Sequence, residues 1–180
     1  MLQLEFPKPV KPIFGFIYNN EKNYSKTKKI LAKKYGKIDF ESEKIDFNYT
    51  NYYSPEMGKP LFRRFISFLK LKGPSQFVKV KLFSLKIEKK FAKANHRTVN
   101  IDPGYLNQAK LVLTTTKDFF HRLYLEKGVY AEVTLFYKDG RLQHLPTTFP
   151  DYRTDDYKQI FQQIRNIYIK QKPTKKTIQR

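Results

Sequence analysis

The sequence predicts a single α+β domain: a mixed or antiparallel sheet with helices packed on it, opening in a ferredoxin-like βαββαβ order and ending in a β-meander and a C-terminal helix. Three observations lead there. Strand-period and helix-period runs alternate through the first hundred residues, two hairpin-linked runs follow, and a strongly amphipathic helix comes last. At 180 residues, 16% aromatic and 40% hydrophobic, the chain can build one core that buries roughly 70% of its unfolded surface. No internal repeat or linker divides it. The expected organisation is an N-terminal extension at 1–11, the domain at 12–170 and a basic flexible tail at 171–180.

The elements follow in order. "PIFGFIYN", Pro12 to Asn19, is apolar throughout, as a central strand is. Ser25 is placed to cap a helix, "SKTKKILAKKYG", that stops at Gly36 with Ile30 and Leu31 inward. In "KIDFESEKIDFNYT" Ile38, Phe40, Ile45 and Phe47 alternate with charges, a strand region. "NYYSPEMGKP" has the composition of a loop, and "LFRRFISFLKL" that of a strand whose Arg63 and Arg64 point to opposite faces. "SQFVKVKLFSLKIEKKFA" supports two periods: Val78, Val80 and Leu82 alternate with Lys, whereas Phe77, Val80, Ser84, Ile87 and Phe91 form a helical stripe behind a Ser75 cap. Its length selects the helix. "RTVNIDPGYL" reads as a strand closed by a turn, because Pro-Gly suits a type II turn; Asp102 then either shapes that turn or presents a carboxylate at a strand end. "NQAKLVLTTTK" reads as a short helix or connector. In "TDDYKQIFQQIRNIYIK" Thr154 caps a helix, Asp155 and Asp156 sit at its positive end, and Tyr157, Ile160, Phe161, Ile164, Ile167 and Tyr168 make its apolar stripe.

Between them lies "KDFFHRLYLEKGVYAEVTL", Lys117 to Leu135, read as a hairpin. A three-residue loop Glu126-Lys127-Gly128 sets Leu125 against Val129, Tyr124 against Tyr130, Leu123 against Ala131, Arg122 against Glu132 and His121 against Val133. A two-residue loop would set Leu123 against Glu132, which buries charge. Strand alternation sends His121 and Arg122 to opposite faces, so they share a site only if the strand bulges.

The formal net charge is +20. Of the 36 basic residues 28 are Lys, a bias that AT-rich codons produce without selection, but their distribution is uneven. From Lys59 to Arg97 twelve Lys or Arg stand against one acid, Glu88, and "KQKPTKKTIQR" adds five with none. Such clusters suit a polyanion partner. The absence of Cys excludes disulfides, thiolate nucleophiles and Cys-based zinc sites. His96, His121 and His144 lack ligand spacing, so no metal site is expected. Neither G-x-x-x-x-G-K-[ST] nor G-x-G-x-x-G occurs, and no Ser-His-Asp or paired-carboxylate spacing specifies a reaction. With no ~20-residue apolar run and no apolar signal core, a cytoplasmic location and no membrane partner are expected.

The segments "EMGKPLFRRF", "NIDPGYL", "TTKDFFHRLYL", "GVYAEVTL" and "PDYRTDDY" together resemble the domain of unknown function 4416 family of bacteria and archaea, over about Pro12 to Tyr168. The resemblance implies a small single-domain protein and carries over no activity, cofactor or oligomeric state. Its motifs fall here on Glu56, Arg63, Arg64, Asp102, Tyr105, Lys117, Asp118, His121, Arg122, Glu132, Asp151, Tyr152 and Arg153.

The expected function is binding of a small anionic ligand, a nucleotide or phosphorylated metabolite. Its pocket would hold Asp102, Arg122, Glu132, Arg153 and Lys117, with Tyr105, Tyr124 or Tyr152 stacking. In an enzyme Asp102 or Glu132 would be the general base and Arg122 the charge stabiliser, with His121 joining if the strand bulges. The alternative is an RNA- or polyanion-binding module using residues 59–97 and the basic tail.

Overall fold

Strand β1 (Lys11–Tyr18) is buried at every position because it runs between two antiparallel neighbours, β4 (Phe62–Phe68) and β5 (Val99–Leu106). This is a computed structural model, and it describes residues 5–94 and 96–171. Most of the expected tail, and residues 1–4 of the extension, lie outside the described residues. Val10 and Lys11 of that extension are buried; the Lys11 ammonium pairs with Asp39.

The side chains of β1 alternate between two cores. Phe14, Phe16 and Tyr18 face α1 (Glu21–Tyr35) and α3 (Phe77–Phe91), while Ile13 faces α4 (Asp155–Lys170). With β2 (Ile38–Glu41) beyond β4, the strand order β2-β4-β1-β5 and the two helices on one face make the ferredoxin-like unit the element order predicts. The sheet continues through β6 (Lys110–Thr115), β8 (Val129–Lys138) and β7 (Leu123–Glu126), with β3 (Ile45–Asp46) on β4 and β9 (Arg141–His144) on β8. All its pairings are antiparallel. Helix α4 covers the second face, where Phe65 packs edge-on against Tyr157 and Phe161 at 4.8 and 4.9 Å between ring centroids. Burying each such ring stabilises the fold by roughly 1.5–3 kcal/mol. Thr154 caps α4 as expected, accepting from the Tyr157 amide.

Several local expectations change. Helix α1 starts at Glu21 rather than after Ser25, because Asn20 caps it through the Asn23 amide and Tyr24 is drawn in to stack on Tyr18 at 4.7 Å. Ser75 does not cap α3, which is entered instead through a 3-10 turn, Pro74–Gln76. The loop before β4 holds a one-turn helix, α2 (Ser54–Met57). "NQAKLVLTTTK" forms strand β6: Asn107 Oδ1 accepts from the Ala109 and Lys110 amides to make the turn, and the apolar run then pairs between β5 and β8. "DPGY" is no turn, since β5 runs straight through it.

The hairpin register holds where Leu123 meets Ala131 and Tyr124 meets Tyr130, but the loop does not. Lys127 and Gly128 both have positive φ (53° and 72°), so the turn is the two-residue type with both central residues left-handed, and an irregularity between Tyr124 and Glu126 absorbs the difference. Strand β7 also begins only at Leu123, after a turn in which the Arg122 amide donates to the Phe119 carbonyl.

Candidate functional site

The sheet opens at a proline, just past a glycine that holds its strands close. The β5–β6 ladder ends at the Gly104–Leu113 pair, although β5 extends back to Val99 and β6 forward to Thr115. Pro103 has no N–H to offer β6, and its carbonyl accepts from the Thr114 hydroxyl instead of from a strand amide. Two residues back, where the same edge of β5 faces outward again, side chains of α3 take the place of the missing strand: Glu88 accepts from the Ile101 amide at 2.7 Å and Lys81 donates to the Ile101 carbonyl at 3.3 Å. Between the parted strands lies a cleft of about 500 Å³.

Arg63 forms the floor. Strand β4 buries its guanidinium to 2% exposure, at 5.0–5.9 Å from the rings of Phe47, Phe65, Tyr152 and Tyr157. It donates to Asp102 Oδ2 at 2.9 Å, to Asp151 Oδ2 at 3.3 Å and to the Tyr152 hydroxyl at 2.9 Å. Asp102 also accepts from Asn100, which accepts from Arg97, which in turn grips Glu56 of α2 in a bidentate pair. Arg64 leaves by the opposite face to reach Glu41, as strand alternation requires.

The two carboxyls on Arg63 differ. Burial alone would raise Asp102, but Arg63 and Lys81, with hydrogen bonds from Arg63 and Asn100, hold it below its usual range. Asp151 is raised, by burial first and by the Asp102 charge, against the pull of Arg63. Burial pushes Glu88 up to about 7 despite Lys81. One wall therefore carries a carboxyl held below its usual range beside two pushed above theirs, a divergence that serves acid–base chemistry.

Glu88 has a consequence for stability. Its pKa is higher in the fold than the ordinary 4.5, so it contributes most below pH 4.5, and that contribution is lost as pH rises through about 7. Glu88→Gln keeps an acceptor for the Ile101 amide and removes the titration. In urea titrations across pH 4.5–8 the variant is expected to gain on wild type with rising pH, by on the order of 1–3 kcal/mol at pH 8. Parallel pH profiles for the two proteins would refute this reading of Glu88.

The other wall comes from β6, the turn after it and β8. Thr114, Thr115 and Thr116 lead to Lys117, whose ammonium donates to the Tyr52 hydroxyl at 2.6 Å and holds that phenol below its usual pKa. His121 Nε2 and Arg122 Nε both lie 2.8 Å from the same Glu132 oxygen. They converge because the strand has already ended at Leu123, so alternation no longer separates them. Arg122 also donates to the Lys117 carbonyl and faces the Phe149 ring at 5.9 Å.

Of the residues singled out in the sequence, Asp102, Lys117, Arg122, Glu132 and Tyr152 line this cleft, and His121 stands behind Glu132. Three others lie elsewhere. Tyr105 packs on Phe77 at the α3 face, Tyr124 pairs with Tyr130 on the exposed hairpin, and Arg153 donates to the Thr148 and Pro146 carbonyls. Arg153 is therefore no part of the anion pocket the sequence suggests; its guanidinium ties down the loop before α4 instead.

Sequence reasoning passed over Lys81, Glu88, Arg97 and Asn100, and gave Arg63 and Asp151 no role. A signal existed for some of them. Arg63 sits between apolar residues of a central strand, and Lys81 and Glu88 lie seven apart beside the inner stripe of α3. Buried charges in such positions must find partners.

Segments from distant parts of the chain thus place Glu56, Arg63, Asp102, Lys117, Arg122, Glu132, Asp151 and Tyr152 in or against one cleft. All of them fall within residues 8–168, which match the family described as domain of unknown function (DUF4416). The chain belongs to the DUF4416 family. No curated protein and no solved structure matches it. Among its described residues no helix is long and apolar enough to cross a membrane, and no group of three or more His, Cys, Asp or Glu is placed to hold a metal ion.

Proposed function

We propose that this protein is a cytoplasmic member of its family that binds a small anionic ligand, a nucleotide or phosphorylated metabolite, in the cleft between β5 and β6. The observation that carries the reading is the make-up of the β6 wall: Lys117 and Arg122 beside three consecutive threonines, with Tyr52 and Phe149 at hand. Ammonium, guanidinium and hydroxyl donors suit phosphate oxygens, and flat rings suit a base or sugar face. The opposite wall, with anionic Asp102 and raised Asp151, supports an acid–base reaction on the bound ligand. In that reaction Asp102 is the base, Arg122 the charge stabiliser, and Glu132, fixed by His121 and Arg122, a positioning group.

A thermal-shift panel of nucleotides and sugar phosphates at 50 and 300 mM salt tests the proposal. A true ligand at ~100 times its dissociation constant stabilises the fold by about 2.7 kcal/mol, which for this length raises the midpoint by roughly 5–10 °C. The shift should persist in high salt and disappear in Lys117→Ala and Arg122→Ala. A shift that survives both substitutions would place the ligand outside the cleft.

A further inference from the structure

One face of the described structure carries two rows of exposed lysines. Helices α1 and α3 lie side by side on the same side of the sheet, in contact through Tyr35 and Phe83 at 5.9 Å. On α1 the exposed Lys22, Lys26, Lys29 and Lys33 recur every three or four residues, so they form one outward stripe. On α3 the exposed Lys79, Lys86 and Lys90 form a second. Each stripe runs about 16 Å, at 1.5 Å per residue. The two helices contain two acids in all: Glu21 at the start of α1, and Glu88, which is buried against β5. The other face does not share this bias, since α4 carries Asp155 and Asp156 along with Lys158, Arg165 and Lys170.

We propose that the α1–α3 face binds the phosphate backbone of double-stranded nucleic acid, independently of the cleft. Lysine is a hydrated point charge that suits single phosphates rather than base edges. Packed helices lie about 8–10 Å apart, so the two stripes stand at a spacing comparable to the ~12 Å major groove and can follow the phosphate rows that flank it. None of the large exposed hydrophobic side chains lies on α1 or α3. The rings on these helices are half-buried, as Phe83 and Phe91 are, or buried, so the face offers no fully exposed ring on which unpaired bases could stack and no fully exposed large apolar side chain to enter a bilayer. Charge with few apolar or aromatic contacts favours a duplex over single strands and over membranes.

The test is fluorescence anisotropy of a labelled 20-base-pair duplex of arbitrary sequence between 50 and 200 mM KCl. Wild type is expected to bind with a log–log salt slope of about −4.5 to −6.3, from five to seven neutralised phosphates at about −0.9 each. The four-fold variant K22E/K26E/K79E/K86E should lose at least 100-fold in affinity at 50 mM KCl, and the matching Lys→Gln set should lose less. Two controls should bind as wild type does: K110E/K138E/R141E/K170E, which makes the same change in net charge away from the face, and the cleft variant K117A/R122A. Far-UV circular dichroism and thermal unfolding establish that each variant is folded. Equal losses in the two charge-reversal variants would overturn the proposal in favour of a diffuse charge effect. Tighter binding to single strands, or to vesicles of anionic lipid, would overturn it as well.

Discussion

Arg63→Met is expected to destabilise the fold by about 3–5 kcal/mol at pH 7, the cost typical of removing one partner from a buried ionic cluster. For a domain of this length that lowers the thermal midpoint by roughly 10 °C or more, readable by calorimetry. The physical reason lies in what remains behind. Asp102 and Asp151 both rely on the one guanidinium, and the Tyr152 hydroxyl loses its donor at the same time. Methionine fills much of the volume among Phe47, Phe65, Tyr152 and Tyr157, so the loss measures electrostatics more than a cavity.

The sign with pH follows from Asp102. In the native protein its carboxyl lies below the ordinary range, so its contribution is full above about pH 4 and lost as pH falls through the native value. Without Arg63 both carboxyls shift upward and are readily protonated in acid. The difference between variant and wild type should therefore shrink from pH 7 to pH 4. Adding Asp102→Asn and Asp151→Asn should restore part of the stability at pH 7. A loss below 1 kcal/mol, or one that grows in acid, would show that the cluster is not held by Arg63.

Gly104→Ala carries the second large effect, about 3 kcal/mol or more by overpacking. A Cβ built at this position lies 2.2 Å from the Val112 carbonyl oxygen and 2.8 Å from Leu113 Cδ2. The first is backbone of the neighbouring strand, which no rotamer change can clear, so β5 and β6 must move apart. This is also the last ladder pair before the strands separate, and the cleft walls move with it. The variant should lose both stability in urea and any ligand-induced thermal shift, although Gly104 does not line the cleft. Gly73→Ala is the control: its nearest contact is 3.9 Å away, and its φ of −66° suits any residue, so its midpoint should stay at the wild-type value. If both glycine variants behave alike, close packing at Gly104 does not set the spacing of β5 and β6.

How much of this could be read in advance differs by residue. Helix α3 fitted two periods and needed its length to decide, whereas hydrophobic period was enough for β1, β4 and α4, because burial leaves its mark on consecutive residues. It failed for β6, where a short apolar run fits either a strand or a helix and only the open edges of β5 and β8 decide. It failed at "DPGY" because turn propensity is local, while the strand there is held from outside by β1 on one edge and by Glu88 and Lys81 on the other. In the hairpin the pairs Leu123–Ala131 and Tyr124–Tyr130 were legible, but the cost of burying charge selected the wrong loop, because an irregularity between Tyr124 and Glu126 absorbs the extra residue. Nor was the early end of β7 legible, and that end is what lets His121 and Arg122 share Glu132.

The α+β class, the ferredoxin-like order of the first elements, the amphipathic closing helix and the charge excess are written in the residue order, since each is a property of neighbouring residues or of their sum. The site depended on the tertiary structure. Arg63, Asp102 and Asp151 are up to 88 positions apart, and Glu88 and Lys81 of α3 reach Ile101 at an edge of β5 that β6 leaves unpaired. Spacing along a chain encodes which face a residue takes within its own element. Which buried charges meet is settled when the elements pack, because each desolvated charge must then find its counterion among the groups the fold brings near.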